Sequence, residues 1–195
     1  YKYVLTSYLV LFFMGLKDDL VIMKASRKLA IQLVVAGLLT YGGVRIMDLQ
    51  GFLGIYELTP FWSYLISIFL IVGVTNAFNL IDGIDGLAGG LGGINCFTFG
   101  ALMFAYGKYE YAVLAFAVGG SLLGFLRFNF REYPKKIFMG DTGSLLLGLT
   151  VSILAIFFLN IEATSSIGLD FVSPAVVVLA IMAIPIVDTS RVFII

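Results

Sequence analysis

Asn76, Asn79, Asp82 and Asp85 set two carboxamides and two carboxylates at three-residue steps inside an otherwise apolar stretch. On a helix each such step turns about 300°, so the four drift slowly around the surface while neighbouring pairs share a side. That stripe is suited to lining a polar cleft. Long apolar runs flank it, 61–74 and 91–106. A carboxylate at a membrane edge needs a cation, a metal or water, so Asp82 and Asp85 are candidate catalytic residues. The glycines that follow, Gly89, Gly90, Gly92 and Gly93, read instead as close helix packing.

Three further stretches carry acids. Lys17-Asp18-Asp19 sits where an apolar run ends. It reads as a solvated helix terminus or as a site, and adjacent residues lie about 100° apart on a helix. Asp18 and Asp19 therefore suit two roles better than one shared metal. Gly140-Asp141-Thr142-Gly143-Ser144 follows a cationic loop and opens the next apolar run. Its glycines allow close backbone approach, the helix that follows points free N–H groups at the loop, and Asp141 offers a hard oxygen ligand. Phosphate with magnesium fits that set, and the nearby cations can hold phosphoryl oxygens. Pro185 to Arg191 ends the last apolar run with a proline that bends a helix. Asp188 and Arg191, three apart, either pair with each other or serve the site.

The elements that must position these groups follow from composition. Of the 195 residues, 61% are hydrophobic and only 12% charged. With a mean hydropathy of +1.06 this is an integral membrane protein. Twelve Lys and Arg balance twelve Asp and Glu, which gives no footing to a nucleic-acid partner. Seven apolar runs approach the length that crosses about 30 Å of hydrocarbon. They lie near 1–16, 28–45, 61–79, 87–106, 109–127, 143–160 and 172–190. The runs are continuous rather than alternating, so the fold class is all-α, a polytopic transmembrane bundle in one domain, 1–195. The segment 47–60, with Gly51, Gly54 and Pro60, is expected to form a short extended turn at the surface. Cys96 packs like a small hydrophobe, and Trp62, Tyr64, Tyr106, Tyr109 and Tyr111 read as interface anchors. Both ends lie inside hydrophobic sequence and no signal peptide is visible, so a fragment is expected.

Seven crossings gather Lys17, Lys24, Arg27, Lys28, Arg127, Arg131, Lys135, Lys136 and Arg191 on one side and leave Lys2, Arg45 and Lys108 on the other. The excess of positive charge marks the first side as cytoplasmic. The same alternation brings every acidic motif to that side. The carboxylates thus form one candidate site.

Taken together, Lys17-Asp18-Asp19, Asn76 to Gly90, Phe138 to Gly148 and Pro185 to Arg191 resemble the polyprenyl-phosphate N-acetylhexosamine-1-phosphate transferases. These include the bacterial enzymes that start lipid-linked synthesis of peptidoglycan, teichoic acid and O-antigen. Leu126 to Phe130 and Ile184 to Asp188 look more like the N-acetylglucosamine-1-phosphate branch than the muramoyl-pentapeptide branch. The resemblance implies a multi-pass enzyme of the bacterial inner membrane with a Mg²⁺-dependent cytoplasmic site, Mn²⁺ serving in place of Mg²⁺. It implies transfer of a sugar-1-phosphate from a UDP-sugar to undecaprenyl phosphate with release of UMP, and a homodimer as a common assembly. On this footing Asp141 ligates Mg²⁺ with Asp19 or Asp82, and Asp18 orients or deprotonates the lipid phosphate. Asp85 and Asn79 sit toward the nucleotide, Phe138 stacks on uracil, and Gly140, Lys136, Arg127, Asp188 and Arg191 complete substrate binding. Two departures stand out: the family's basic stretch before the first motif and its later His-rich loop have no counterpart in these residues. The loop from Asn129 to Phe138 is about two residues longer than the common form. The rival reading is a cation- or proton-coupled transporter, which also needs membrane carboxylates and glycine-broken helices; a silent membrane scaffold is another.

Overall fold

The computed structural model describes residues 2–132, 134–161 and 173–194, with side chains up to residue 189. Among these, apolar runs without interior proline become the helices α1 (Lys2–Leu20), α2 (Ala25–Tyr41), α3 (Pro60–Ile81), α4 (Leu87–Ala105), α5 (Tyr109–Asn129) and α6 (Gly140–Leu159). Short turns join α1 to α2, α3 to α4 and α4 to α5. Between α2 and α3 lies an antiparallel hairpin, β1 (Asp48–Phe52) and β2 (Ile55–Glu57), where the extended surface turn was expected. Four helices, α3 to α6, are long and apolar enough to cross a membrane by length and composition. The helix α1 has the length but ends in charge, and α2 has 17 residues.

The centre of the bundle is α6, which packs against α1, α3, α4 and α7 and is buried on nearly every face. A helix apolar all round belongs inside a bundle. Close approach is set by small residues: a Cβ on Gly15 of α1 would lie 2.5 Å from the Thr142 Cα, and one on Gly148 would lie 2.7 Å from the Thr75 Cα of α3. Midway along, Tyr8 Oη and Thr150 Oγ1 share a hydrogen bond of 2.8 Å. At the C-terminal end of α6, Gln50 of the hairpin donates to the carbonyls of Leu159 at 2.9 Å and Ile161 at 2.7 Å. Asn160 there accepts from Met47 N at 3.1 Å and donates to Arg45 O at 2.7 Å. The hairpin therefore closes the end of α6 whose carbonyls have no helical partner.

The run expected as a seventh single crossing is two helices, α7 (Pro174–Ile181) and α8 (Ala183–Ile194), with Met182 between them; residue 172 lies outside the described residues. The cause is Pro185, which has no N–H to give the Ile181 carbonyl four residues back and whose ring crowds it. The freed carbonyl is met from another helix. Asn95 of α4, fully buried, turns its amide nitrogen to donate to Ile181 O at 3.0 Å and Leu91 O at 3.3 Å. The helical ladder resumes with Ile186 N donating to Met182 O at 3.1 Å.

This pairing predicts a double-mutant result. Asn95→Leu should lower the stability of the detergent-purified protein by about 1–3 kcal/mol, since it orphans a buried carbonyl. In a Pro185→Ala background, where residue 185 regains its N–H, the same change should cost little. Equal losses in both backgrounds, read as melting temperatures, would refute the link.

Candidate active site

Asp141 opens α6, and three side chains from three other helices, Asp19, Asn79 and Lys28, reach it or its backbone. Asp19, at the end of α1, accepts from Asp141 N at 2.7 Å and Thr142 N at 3.1 Å, and from Thr142 Oγ1 at 2.6 Å. No local side chain caps α6. Asp19 therefore serves as its N-cap from across the bundle, an anion where the free N–H groups and the helix dipole favour one. Gly140 makes the turn into α6 at φ +70, and a Cβ there would lie 3.0 Å from Asp19 Oδ1. From α3, Asn79 Nδ2 donates to Asp141 Oδ1 and, at 3.0 Å, to Ser144 Oγ. Lys28 of α2 stands between two acids, paired with Asp18 Oδ2 and 3.3 Å from Asp141 Oδ2.

Asp18 and Asp19 thus face different partners, in keeping with their 100° separation. Asp18 is buried; its other oxygen accepts from Met23 N at 2.6 Å and fixes the turn into α2. One turn deeper, Asn76 and Gln32 of α2 exchange amide hydrogen bonds of 2.6 and 3.2 Å, so Asn76 ties α2 to α3 rather than lining the cleft.

The stripe expected to continue helically from Asn76 to Asp85 breaks after Ile81. The chain turns through the 82–86 loop into α4 at Gly86, which adopts φ +74 and packs against the Phe130 ring, where an added Cβ would meet the ring carbons at less than contact distance. Asp82 stays near Asp141 and Asp19, whereas Asp85, on the 82–86 loop, pairs with Lys136. The Lys136 ammonium lies 5.1 Å from the centre of the exposed Phe138 ring. Asn129, buried at the end of α5, holds this second group in register, accepting from Gly86 N at 2.7 Å and donating to Ile137 O at 2.8 Å. Arg127 is exposed in the last turn of α5. Asp188 is half-buried on α8, which packs on α3. Among the described residues no bond is shown from either to the Asp141 group, and the side chain of Arg191 lies outside them. Sequence reading missed Lys28 and Gln32 as site residues. Their signal was faint: a cation and an amide four apart at the start of the helix that follows two acids.

Burial pushes the Asp82 carboxyl up to about 6; a hydrogen bond from the Gly140 backbone opposes this, and the charges of Asp141 and Asp19 add to it. Three carboxylates thus press on one another beside a single lysine. Among the described residues no three acidic side chains are arranged to enclose a metal. Mg²⁺ does not require that, since it usually meets one or two carboxylates, keeps waters and takes substrate phosphates. The hard oxygens of Asp82 and Asp141 suit such an ion by type; Asp141 already uses Oδ1 with Asn79 and Oδ2 with Lys28, and Asp19 uses both oxygens with α6.

A family model described as glycosyl transferase family 4 matches residues 1–159. The chain is 38% identical over 186 residues to a probable undecaprenyl-phosphate N-acetylglucosaminyl 1-phosphate transferase of Bacillus subtilis, covering 93% of this chain and 48% of that protein. It is 42% identical over 156 residues to a phospho-N-acetylmuramoyl-pentapeptide-transferase of Halalkalibacterium halodurans, covering 73% and 47%. To the enzyme of that name from Rubrobacter xylanophilus it is 37% identical over 128 residues, covering 66% and 38%. The chain thus spans about half the length or less of these relatives.

The raised Asp82 carboxyl has a signed consequence. Its neutral form suits the folded state, so its stabilising contribution is full at low pH and is lost as pH rises through about 6. With a chelator present, the wild-type melting temperature should fall more between pH 5 and pH 7 than that of Asp82→Asn. Parallel profiles for the two proteins would contradict it.

Proposed function

The chain belongs to glycosyl transferase family 4, and from that membership we propose that it transfers N-acetylglucosamine-1-phosphate from its UDP-sugar to undecaprenyl phosphate. UMP is released in what is the first membrane step of a cell-envelope polysaccharide. The observation that carries this reading is the meeting of Asp19, Asp82 and Asp141, from three distant motifs, around one helix start with Lys28 beside them. Two anions must approach each other in such a reaction, so the barrier is chiefly one of charge and position.

An oxygen of the lipid phosphate attacks the phosphorus that bears the sugar, a new diphosphate bond forms, and the bond to the departing UMP breaks. Lys28, its ammonium held by Asp18 and Asp141, is the cation available to phosphoryl oxygens at this point. Asp18, buried in that pair, acts by orienting Lys28 and with it the lipid phosphate. Asn79 fixes the rotamer of Asp141. Asp82 and Asp141 would hold Mg²⁺, or Mn²⁺, which when bound neutralises charge on the diphosphate. Asp85, Lys136 and Phe138 form the second group, with a flat ring and a cation suited to the uracil and phosphate of the nucleotide. The cation excess at this end, in the turns after α1 and α5, supports a cytoplasmic site in the inner membrane. The carboxylates lie at helix ends rather than mid-span, which disfavours the transporter reading.

The test is transfer of radiolabel from UDP-N-acetylglucosamine into butanol-extractable lipid by the full-length protein, with and without Mg²⁺. Asp141→Asn should reduce turnover by about 100-fold or more. Full activity in that variant, or label transfer indifferent to Mg²⁺, would overturn the assignment. Because relatives include pentapeptide transferases, the same assay with UDP-N-acetylmuramoyl-pentapeptide identifies the donor.

A further inference from the structure

The turn from α1 to α2 is built unlike a water-facing loop. Leu20, Val21 and Ile22 are 76%, 65% and 95% exposed, three large aliphatic side chains in succession at the very tip. Exposed cations flank them, Lys17 before and Lys24 and Arg27 after. Of the acids in the same stretch, Asp18 is buried against Lys28, and Asp19, itself exposed, has both oxygens bonded to the start of α6. The tip itself shows outward three aliphatic side chains flanked by cations.

The tip is also preformed. Val21 N donates to Lys17 O at 2.8 Å, extending the helical turn, and Met23 N donates to Asp18 Oδ1 at 2.6 Å, fixing the reversal.

We propose that this turn docks on the bilayer itself, with Leu20, Val21 and Ile22 entering the acyl boundary of the leaflet on which the site opens. Lys17, Lys24 and Arg27 meet the phosphates of anionic lipid headgroups there. Apolar side chains beside cations are what that boundary favours, and each basic residue near an anionic surface adds to the attraction. The docking holds Lys28, in the first turn of α2, close beside those headgroups. It is independent of the transferase reading, because its test reads lipid contact and not turnover.

The experiment places a spin label at Ile22→Cys and, as a reference, at Glu132→Cys in the cationic loop. The full-length protein is reconstituted in phosphatidylcholine vesicles with and without phosphatidylglycerol. Collisions with oxygen, which partitions into acyl chains, and with a water-soluble nickel chelate report the surroundings. The oxygen-to-nickel ratio should be several-fold higher at 22 than at 132. It should rise further with phosphatidylglycerol, and that rise should vanish when Lys24→Gln and Arg27→Gln are combined. A label at 22 as open to nickel as the reference places the tip in water, and one shielded from both reagents places it under protein; either overturns the proposal. A ratio indifferent to phosphatidylglycerol overturns the headgroup contact.

Discussion

The first turn of α6 leaves backbone N–H groups without helical partners at the end of a buried helix, and that demand organises the site. Asp19 meets it from 122 residues away in sequence, bonding Asp141 N, while its neighbour Asp18 holds Lys28 against Asp141. A free helix start inside a bundle is costly. Once Asp19 satisfies it, the ends of α1 and α2 and the head of α6 come together. The acidic motifs converge because the backbone has to be satisfied as well as because the reaction needs them.

Charge then finds its own arrangement within that frame. Asp18 is nearly inaccessible and would be a buried, uncompensated anion without Lys28. Asp141 shares the same lysine and takes an amide from Asn79. Asp82 sits high first because it is half-buried, with the charges of Asp141 and Asp19 adding to that. The surroundings separate acids that look alike in sequence: Asp18 and Asp141 share Lys28, while Asp82 is raised mainly by burial. Asp85 belongs to a different group altogether, with Lys136 and Phe138.

Hydropathy made six helices legible nearly to their ends, since continuous apolar runs in lipid have few alternatives to a helix. The errors have local causes. The helix α6 begins at Gly140, three residues before the apolar run at 143, because its cap comes from α1, which no local pattern reveals. The helix α2 stops at Tyr41 rather than 45, where Gly42 and Gly43 follow and Gly43 takes φ +95. The break at Met182 was foreshadowed by Pro185, but its partner Asn95 was not, lying on another helix. Of the site, the acids were visible as types in unlikely places. Lys28 and Gln32 were not, because a cation and an amide near a membrane edge are ordinary until their partners across the bundle are known.

One consequence concerns thickness. The helix α6 is fastened by side chains from other segments at both extremities, Asp19 below and Gln50 above, and its 20 residues cover about 30 Å. A rod pinned this way can neither slide along its neighbours nor lengthen when lipids with longer tails surround it. Adaptation to a thicker or thinner bilayer then falls to inclination of the bundle as one piece. The acids at its foot move as a rigid set, keeping their mutual spacing while their height above the lipid surface changes.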